Sequence, residues 1–254
     1  MSVKVRLIPT LLFKNTHLVK TVQFKRYRPV GIPVPAVKVY NAREVDELVF
    51  LDISASLENR GPRLDLIAET SEECFMPLAV GGGVRTVEDI RQLLLVGADK
   101  VVINSEALRR PEFVTEGARM FGRQCIVLSI DVQRNASGKY EVMTRGGTQG
   151  TGKDPVVWAK TVEGLGAGEI LLTSVDRDGT QEGYDLELIR SVATAVGVPV
   201  IASGGVGRLE HFVQGVLEGR ANAVSAASIF HFSQHTPLDA KAAMQRAGIN
   251  VRLG

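Results

Sequence analysis

The chain has 254 residues, 44% hydrophobic and 23% charged, a composition that excludes a disordered chain, a collagen and a disulfide-rich scaffold. Its 30 basic and 28 acidic residues leave a net charge of +2, which gives no reason to expect a nucleic-acid partner. No apolar run approaches the roughly 18 residues of a membrane-spanning helix, and no signal-peptide core follows Met1, so we expect a cytoplasmic protein with no membrane contact. Cys74 and Cys125 lack metal-ligand spacing, so we expect free thiols and neither a metal nor another cofactor.

Apolar runs typical of buried strands alternate with amphipathic, helix-like segments along the whole chain. The predicted strands are Val5–Leu12, Leu48–Ile53, Leu78–Val80, Val101–Ile103, Ile126–Val132, Ile170–Thr173, Val198–Ala202 and Ala223–Ala226. The predicted helices are Val34–Ala42, Arg63–Glu73, Val87–Val96, Pro111–Phe121, Pro155–Gly164, Asp185–Val196, Leu209–Glu218 and Leu238–Ala247. Eight strand and helix pairs favour an α/β fold with one (β/α)8 TIM barrel, residues 1–254, over an open doubly wound sheet.

Four longer connections follow the first, second, fifth and sixth predicted strands. They are Lys14–Ile32, Asn59–Gly61, Gln133–Lys153 and Asp176–Tyr184. Each would be a βα loop, on the face where TIM barrels build their active sites.

The sequence contains one internal repeat with a constant offset of 122 residues. Matched positions include Glu47 and Glu169, Pro77 and Pro199, and Gly82 and Gly204. The constant spacing favours a duplicated four-strand half, about residues 1–122 and 123–254, over convergent use of Pro and Gly-Gly in βα units. A feature of one half therefore predicts a counterpart in the other.

Turns of glycine and other small or polar residues follow four of the predicted strands. The first half contributes Gly82, Gly83, Asn104 and Ser105, and the second contributes Gly204, Gly205, Ala227 and Ser228. Such turns let backbone N–H groups approach an anion, and the second set lies where TIM barrels often bind phosphate. We expect a small ligand with a phosphate at each end, ahead of the alternative that the glycines only turn the chain.

Four charged residues stand at the amino-terminal ends of predicted strands: Arg6, Glu47, Lys100 and Glu169. If they point inward, they form a ring of two cations and two anions across the barrel floor, where burial is tolerable because the charges compensate. If they point outward, they are four solvated charges on the bottom rim. The spacing alone favours the rim.

Candidate acid–base groups lie at the opposite end of the strands. Asp131 ends the fifth predicted strand, from which a carboxylate faces the barrel mouth. At the counterpart position, the end of the first strand, stands Leu12, which cannot exchange a proton. Further carboxylates are Asp52, Asp176 and Asp178, with Lys20 as a candidate cation for the substrate. For Asp52 we favour a structural role as a loop hydrogen-bond acceptor.

Several runs together resemble the cyclase subunit of imidazole glycerol phosphate synthase over almost the whole chain. They are Asp46–Ile53, Val80–Thr86, Gly97–Val101, Gly166–Ser174, Asp176–Thr180 and Ala202–Gly207. The resemblance implies a glutaminase docked on the barrel floor as a heterodimer. It also implies that ammonia passes a charged gate and attacks, at the barrel top, a ribulosyl substrate with two phosphates.

The resemblance assigns roles to individual positions. It reverses the preference from spacing and places Arg6, Glu47, Lys100 and Glu169 in the ammonia gate, with Asp99 on the docking face. It adds Lys20, Asp178 and Gly179 to the substrate and phosphate residues, and it makes Asp131 one of two catalytic aspartates. The second aspartate is replaced by Leu12, and the first loop around it also departs from the family pattern.

Loss of a positioned acid or base typically lowers a rate by about 10² to 10⁴, so ordinary cyclisation is expected to be impaired. The stretch Leu11–Lys25 is similar to divergent paralogues associated with surface-polysaccharide biosynthesis. The leading hypothesis is a barrel that passes ammonia from a glutaminase towards a sugar amidotransferase, which amidates a nucleotide-linked sugar. The alternatives are a working histidine-pathway cyclase and a non-catalytic activator of the glutaminase.

Overall fold

The computed structural model describes residues 3–232 and 235–253, and the side chains of His231 and Phe232 lie outside the described part. Its strands are β1 (Arg6–Lys14), β2 (His17–Val22), β3 (Lys25–Gly31), β4 (Leu48–Asp52), β5 (Leu78–Gly81), β6 (Lys100–Ile103), β7 (Ile126–Arg134), β8 (Tyr140–Thr144), β9 (Gln149–Gly150), β10 (Glu169–Ser174), β11 (Val200–Ser203) and β12 (Ala223–Ala226). Its helices are α1 (Pro33–Ala42), α2 (Leu64–Glu72), α3 (Val87–Leu95), α4 (Ser105–Arg109), α5 (Glu112–Phe121), α6 (Pro155–Leu165), α7 (Leu186–Ala193), α8 (Leu209–Leu217), α9 (Ser228–Phe232) and α10 (Pro237–Arg246), with a 3₁₀ turn at Arg123–Cys125.

Eight of these strands close into a parallel barrel. Around the barrel they run β1, β4, β5, β6, β7, β10, β11 and β12, and β12 pairs with β1 again. A helix follows every barrel strand, because the strands are buried on both faces and need an outer apolar layer. The prediction of a (β/α)8 TIM barrel is confirmed.

Helix boundaries follow local capping chemistry. The hydroxyl of Thr86 accepts from the backbone N–H of Asp89, whose carboxylate accepts from the Thr86 N–H, so α3 begins with a complete capping box. At α6, Asp154 accepts from the N–H groups of the first turn, and Pro155 occupies the first helical position. The ends of the eight predicted helices differ from the observed ends by at most three residues.

Two of the long connections are partly β-structure rather than irregular loops. After β1, the chain turns tightly at Asn15, where φ is 58°, and returns as β2 and β3; after β7, it returns as β8 and β9. Both β1 and β7 therefore extend beyond the barrel as antiparallel hairpins. The sequence did not predict these strands because β3 and β9 are mostly exposed, and β2 and β8 mix charged with apolar residues. No run typical of a buried barrel strand therefore marks them.

The repeat is visible in the backbone. A Cβ at Gly82 would lie 2.4 Å from the carbonyl oxygen of Asp52, and a Cβ at Gly204 would lie 2.8 Å from the carbonyl oxygen of Ser174. Asp52 and Ser174 are themselves 122 residues apart, so the two halves place the same close contact at the same position. Both glycines have positive φ, 112° and 92°, which a side chain would strain.

Two further expectations concern cysteines and membranes. Cys74 and Cys125 are free and partly buried. Within the described residues, no helix combines the length and the apolar character needed to cross a bilayer.

Candidate functional site

A ring of four charged side chains lies on the barrel floor. Arg6 bonds to Glu47 and, at 2.6 Å, to Glu169; Lys100 lies 2.8 Å from Glu47 and 2.9 Å from Glu169. Each cation therefore touches both carboxylates, and Glu47 is only 2% exposed. The four residues point inward, and their charges compensate one another. They are therefore a ring of ion pairs and not four separate solvated charges on the rim.

An apolar layer separates this ring from the other end of the barrel. Each of the eight barrel strands contributes one side chain: Ile8, Val49, Ala79, Val102, Val127, Leu171, Ile201 and Ala223. The two alanines are small, and none of the eight carries a polar group. A neutral molecule loses much less hydration free energy in such a layer than an ion does.

A cavity of about 830 Å³ opens at the carboxyl ends of the strands. It reaches down to Val102 and Leu171 of the apolar layer, so it lies directly above the ring on the barrel axis. Most predicted site residues line it: Leu12, Gly82, Gly83, Asn104, Ser105, Asp131, Asp178, Gly179, Gly204, Gly205, Ala227 and Ser228. The two sets of phosphate candidates thus share one cavity.

Asp131 is the buried acid of this cavity. Its carboxylate accepts from Asn104 Nδ2 at 2.7 Å and from the Ser129 hydroxyl at 3.4 Å. Burial is the main cause that raises the pKa of Asp131 to about 7, so it exchanges a proton near neutral pH. Asn104 Oδ1 is buried and accepts no hydrogen bond from the described residues, which leaves it available to a donor on a ligand.

Leu12 lies where the sequence places the missing acid. It lines the same cavity as Asp131, from β1 on the opposite side of the barrel. The other carboxylates of the lining, Asp52, Glu106 and Asp178, each have a hydrogen-bond or ion-pair partner. Among the described residues, no carboxylate occupies the position of Leu12.

Asp178 holds the first hairpin against the loop after β10. Its carboxylate accepts from the Thr21 hydroxyl at 2.7 Å and from the Phe24 N–H at 3.4 Å. Its backbone carbonyl also accepts from Gln23. Burial raises the pKa of Asp178, and these hydrogen bonds oppose the rise. The Asp178 side chain is therefore engaged mainly in holding the first hairpin in place.

Asp52 has the structural role that we favoured. Its Oδ1 accepts from the N–H groups of Ser54 and Ala55, and Arg60 pairs with its Oδ2 at 2.6 Å. This arrangement caps the turn after β4. Asp176 likewise accepts from the backbone N–H of Arg134.

Besides the four residues of the ring, two predicted site residues lie outside the main cavity. Lys20 is 4% exposed, its Nζ donates to the Thr10 carbonyl at 3.4 Å, and it lines a smaller adjoining cavity of about 390 Å³. Burial lowers the pKa of Lys20 to about 7. Asp99 is exposed on the floor face, where its carboxylate accepts from the Leu78 N–H.

Sequence reasoning missed the residues that the hairpins and loops bring to the cavity. The aromatic ones are Phe24 and Tyr27, and the cationic ones are Arg85, Arg109, Arg145 and Lys153. For Phe24, Tyr27, Arg145 and Lys153, the position within a long connection was the only available signal, whereas Arg85 and Arg109 lie outside those connections. Among the described residues, no group of His, Cys, Asp and Glu could hold a metal ion.

The comparison with known families agrees with this architecture. A family model described as "Histidine biosynthesis protein" matches residues 6–236, which include every barrel strand, the floor ring and the lining of the cavity. The match covers more than nine tenths of the chain. The chain belongs to the histidine biosynthesis protein family.

Proposed function

We propose that the chain is the ammonia-accepting barrel of a glutamine amidotransferase system. A glutaminase docks on the floor face that carries Asp99, and its ammonia enters through the ring of Arg6, Glu47, Lys100 and Glu169. The observation that carries the proposal is the alignment of this ring, the apolar layer and the cavity along one axis. A polar entrance, an apolar layer and a ligand cavity, in this order, make up the route that we propose for a small neutral amine.

The ring can act as an entrance because its ion pairs can exchange partners. Lys100 contacts both carboxylates at nearly equal distances, so its ammonium can move towards one while leaving the other with Arg6. The charges stay paired during that movement, which avoids an isolated buried ion. Beyond the ring, the apolar layer favours ammonia over ammonium, because only the neutral form crosses without losing the hydration of a charge.

The upper end of the route has half of the acid–base chemistry of an ordinary cyclase. Asp131, with a pKa near 7, can transfer a proton to or from a ligand. Leu12 cannot do so, and no second acid replaces it in the described residues. We therefore propose that the ammonia serves amidation of a surface-polysaccharide nucleotide sugar through a separate amidotransferase. The resemblance of Leu11–Lys25 to divergent paralogues supports this acceptor.

A working histidine-pathway cyclase is the second candidate, and Asp131 favours it. The acid keeps its hydrogen bond from Asn104 within a cavity that has two glycine-rich turns. The test is turnover of the ribulosyl bisphosphate substrate by the purified chain with ammonium salts. We expect a rate about 10² to 10⁴ below that of a cyclase with both aspartates. A rate near the ordinary one would overturn the amidation proposal.

The entrance is tested separately with the glutaminase present. In Lys100→Met, glutamine-dependent amidation should fall relative to amidation driven by added ammonium salts. Lys38→Met is the matched control, because Lys38 is an exposed lysine that pairs with Glu73 away from the ring. Equal effects of the two variants would contradict the assigned entrance. If the chain stimulates the glutaminase but neither acceptor is turned over, it is a non-catalytic activator instead.

A further inference from the structure

Positive charge is concentrated at the start of the chain. Residues 1–43 hold nine of the 30 basic residues and none of the 28 acidic ones, whereas residues 44–254 hold 21 basic and 28 acidic residues. The net charge of +2 therefore combines a segment of +9 with a remainder of −7. A charge of one sign that is gathered in one segment favours a partner of the opposite sign.

The exposed part of this charge lies on the first hairpin. Lys25, Arg26 and Arg28 stand in β3, which is exposed along most of its length and, among the described residues, pairs only with β2. Within the part of the chain that the structure describes, Lys25 and Arg26 form no ion pair. The ammonium of Lys14 lies 4.3 Å from the centre of the Tyr27 ring, which is 44% exposed. These five residues form the basic surface of the first hairpin.

Protection of an open strand edge explains the charge of this surface but not its sign. Charged side chains and proline keep an edge strand from pairing with another chain, and β3 contains Pro29 beside its cations. Charges of either sign would serve that purpose. The stretch Lys14–Arg28 has five basic residues and no acidic one, so its charges repel one another. A partner of opposite charge removes this cost.

The hairpin is held in a fixed position at the mouth of the cavity. The backbone N–H of Gln23 donates to the Asp178 carbonyl at 2.8 Å, and Gln23 Nε2 donates to the Asp176 carbonyl at 3.0 Å. Phe24 and Tyr27 line the cavity, so a molecule that covers the basic surface also lies beside the cavity opening. Because the hairpin is anchored before it binds, less entropy is lost on association.

We propose that the basic surface of the first hairpin docks an acidic surface of the amidotransferase that uses the ammonia. The inference rests on the proposed function, because it takes the acceptor to be bound by a separate enzyme. Ammonia released from an open cavity into neutral water takes up a proton and loses its nucleophilic electron pair. An enzyme seated on the hairpin covers the mouth and receives ammonia before it meets bulk water. The glutaminase and the amidotransferase then occupy opposite ends of one barrel.

Sedimentation velocity of the full chain mixed with the purified amidotransferase tests this docking surface. We expect a complex that weakens about tenfold between about 0.05 M and 0.3 M NaCl, because salt screens exposed charges. Lys25→Glu and Arg26→Glu should each weaken the complex about tenfold at the lower salt concentration, since each places a negative charge against an acidic partner. The difference from the wild type should shrink at the higher concentration.

Matched controls are Arg119→Glu and Lys160→Glu, which reverse exposed cations of α5 and α6 outside the cavity lining. They should bind the amidotransferase as the wild type does, and thermal unfolding should show that all four variants stay folded. Equal weakening by the controls, or a complex that depends on neither salt nor the hairpin cations, would overturn the inference. Binding to phosphatidylserine vesicles without any complex with the amidotransferase would overturn it as well.

The binding measurement needs neither glutaminase nor ammonia, so its failure can be separated from failure of the proposed function. If glutamine-dependent amidation proceeds equally well in the wild type and in the hairpin variants, only the docking surface is rejected. If the complex depends on the hairpin cations but amidation never uses ammonia from glutamine, the ammonia route is rejected and the docking surface stands.

Discussion

Leu12 and Asp131 line one cavity from opposite sides of the barrel, four strands apart in either direction. Asp131 is 8% exposed, and burial raises its pKa to about 7. The side chain of Leu12 is apolar and has no group that could exchange a proton. Of these two opposed positions, only Asp131 has a side chain that can exchange a proton. A reaction that needs an acid and a base on opposite faces of its substrate lacks one of them here.

Leu12→Asp alone should not restore full cyclisation. The new carboxylate would enter the cavity lined by Asp131, but Lys20 lies in the adjoining cavity and Asp178 is bound to Thr21. The substrate would still meet a first hairpin that keeps Lys20 out of this cavity and engages Asp178 in a hydrogen bond. We expect kcat with the ribulosyl substrate and ammonium to rise by no more than about tenfold, part of a typical acid–base contribution.

The control for this prediction is Leu12→Asn, because the asparagine side chain has nearly the same shape as aspartate but cannot ionise. It should show no gain in kcat at any pH. Full recovery of an ordinary cyclase rate by Leu12→Asp would show that the first hairpin does not limit the reaction.

Asp131→Asn should change how stability depends on pH. The pKa of Asp131 is about 7 in the folded chain and about 3.9 in an unfolded one, so the folded state binds the extra proton between these values. The free energy of unfolding therefore falls as pH rises through this window, by up to about 1.4 kcal/mol per pH unit from this group. Asp131→Asn should be more stable than the wild type at pH 8 and similar to it at pH 4.

Urea unfolding of both proteins from pH 4 to pH 8 measures this difference. Subtracting the two curves removes the contributions of Asp178 and Lys20, as far as the substitution leaves their surroundings unchanged. A difference that stays constant with pH would contradict the raised pKa of Asp131.

The sequence predicted the barrel because buried parallel strands and their covering helices leave a strong apolar pattern. It predicted the cavity lining at Gly82, Gly204 and Asp131 because residues at the carboxyl ends of barrel strands must meet. It could not place Lys20, since the hairpin that buries this residue depends on tertiary contacts with Asp178. Arg145 and Lys153 were not predicted either, because the position of the second hairpin also depends on tertiary contacts, here with Ser105.

Glu47→Gln should destabilise the chain strongly. Glu47 is 2% exposed and pairs with both Arg6 and Lys100, so the substitution leaves two cations with only Glu169 between them. Removing one charged partner of a buried ion pair lowers the free energy of unfolding by about 3 kcal/mol or more.

The matched comparison is Glu73→Gln, which breaks the exposed pair with Lys38. It should cost less than about 1 kcal/mol, because surface pairs contribute little. Chemical unfolding at pH 7 measures both variants. Similar losses in the two would mean that the ring is solvated and contributes no more than a surface pair.

The two buried lysines, Lys20 and Lys241, should respond in opposite ways to replacement by Met. Lys241 is 0% exposed, pairs with Asp46 at 2.7 Å and donates to the Glu44 carbonyl at 2.7 Å. Lys241→Met leaves the partly buried Asp46 carboxylate without this partner and should lower the free energy of unfolding by about 3 kcal/mol.

Lys20 has no carboxylate within ion-pair distance in the described structure, and its pKa is lowered to about 7 by burial. The charged form therefore destabilises the folded state, and this cost grows as pH falls from about 10.4 to about 7. Lys20→Met should raise the free energy of unfolding by of order 2 kcal/mol at pH 6. The gain should shrink to below about 1 kcal/mol near pH 10, because Lys20 is then neutral in the folded chain and close to its own pKa in the unfolded one. Urea unfolding at the two pH values measures this change, and a loss of stability at pH 6 would show that the Lys20 ammonium is well solvated or paired in the folded chain.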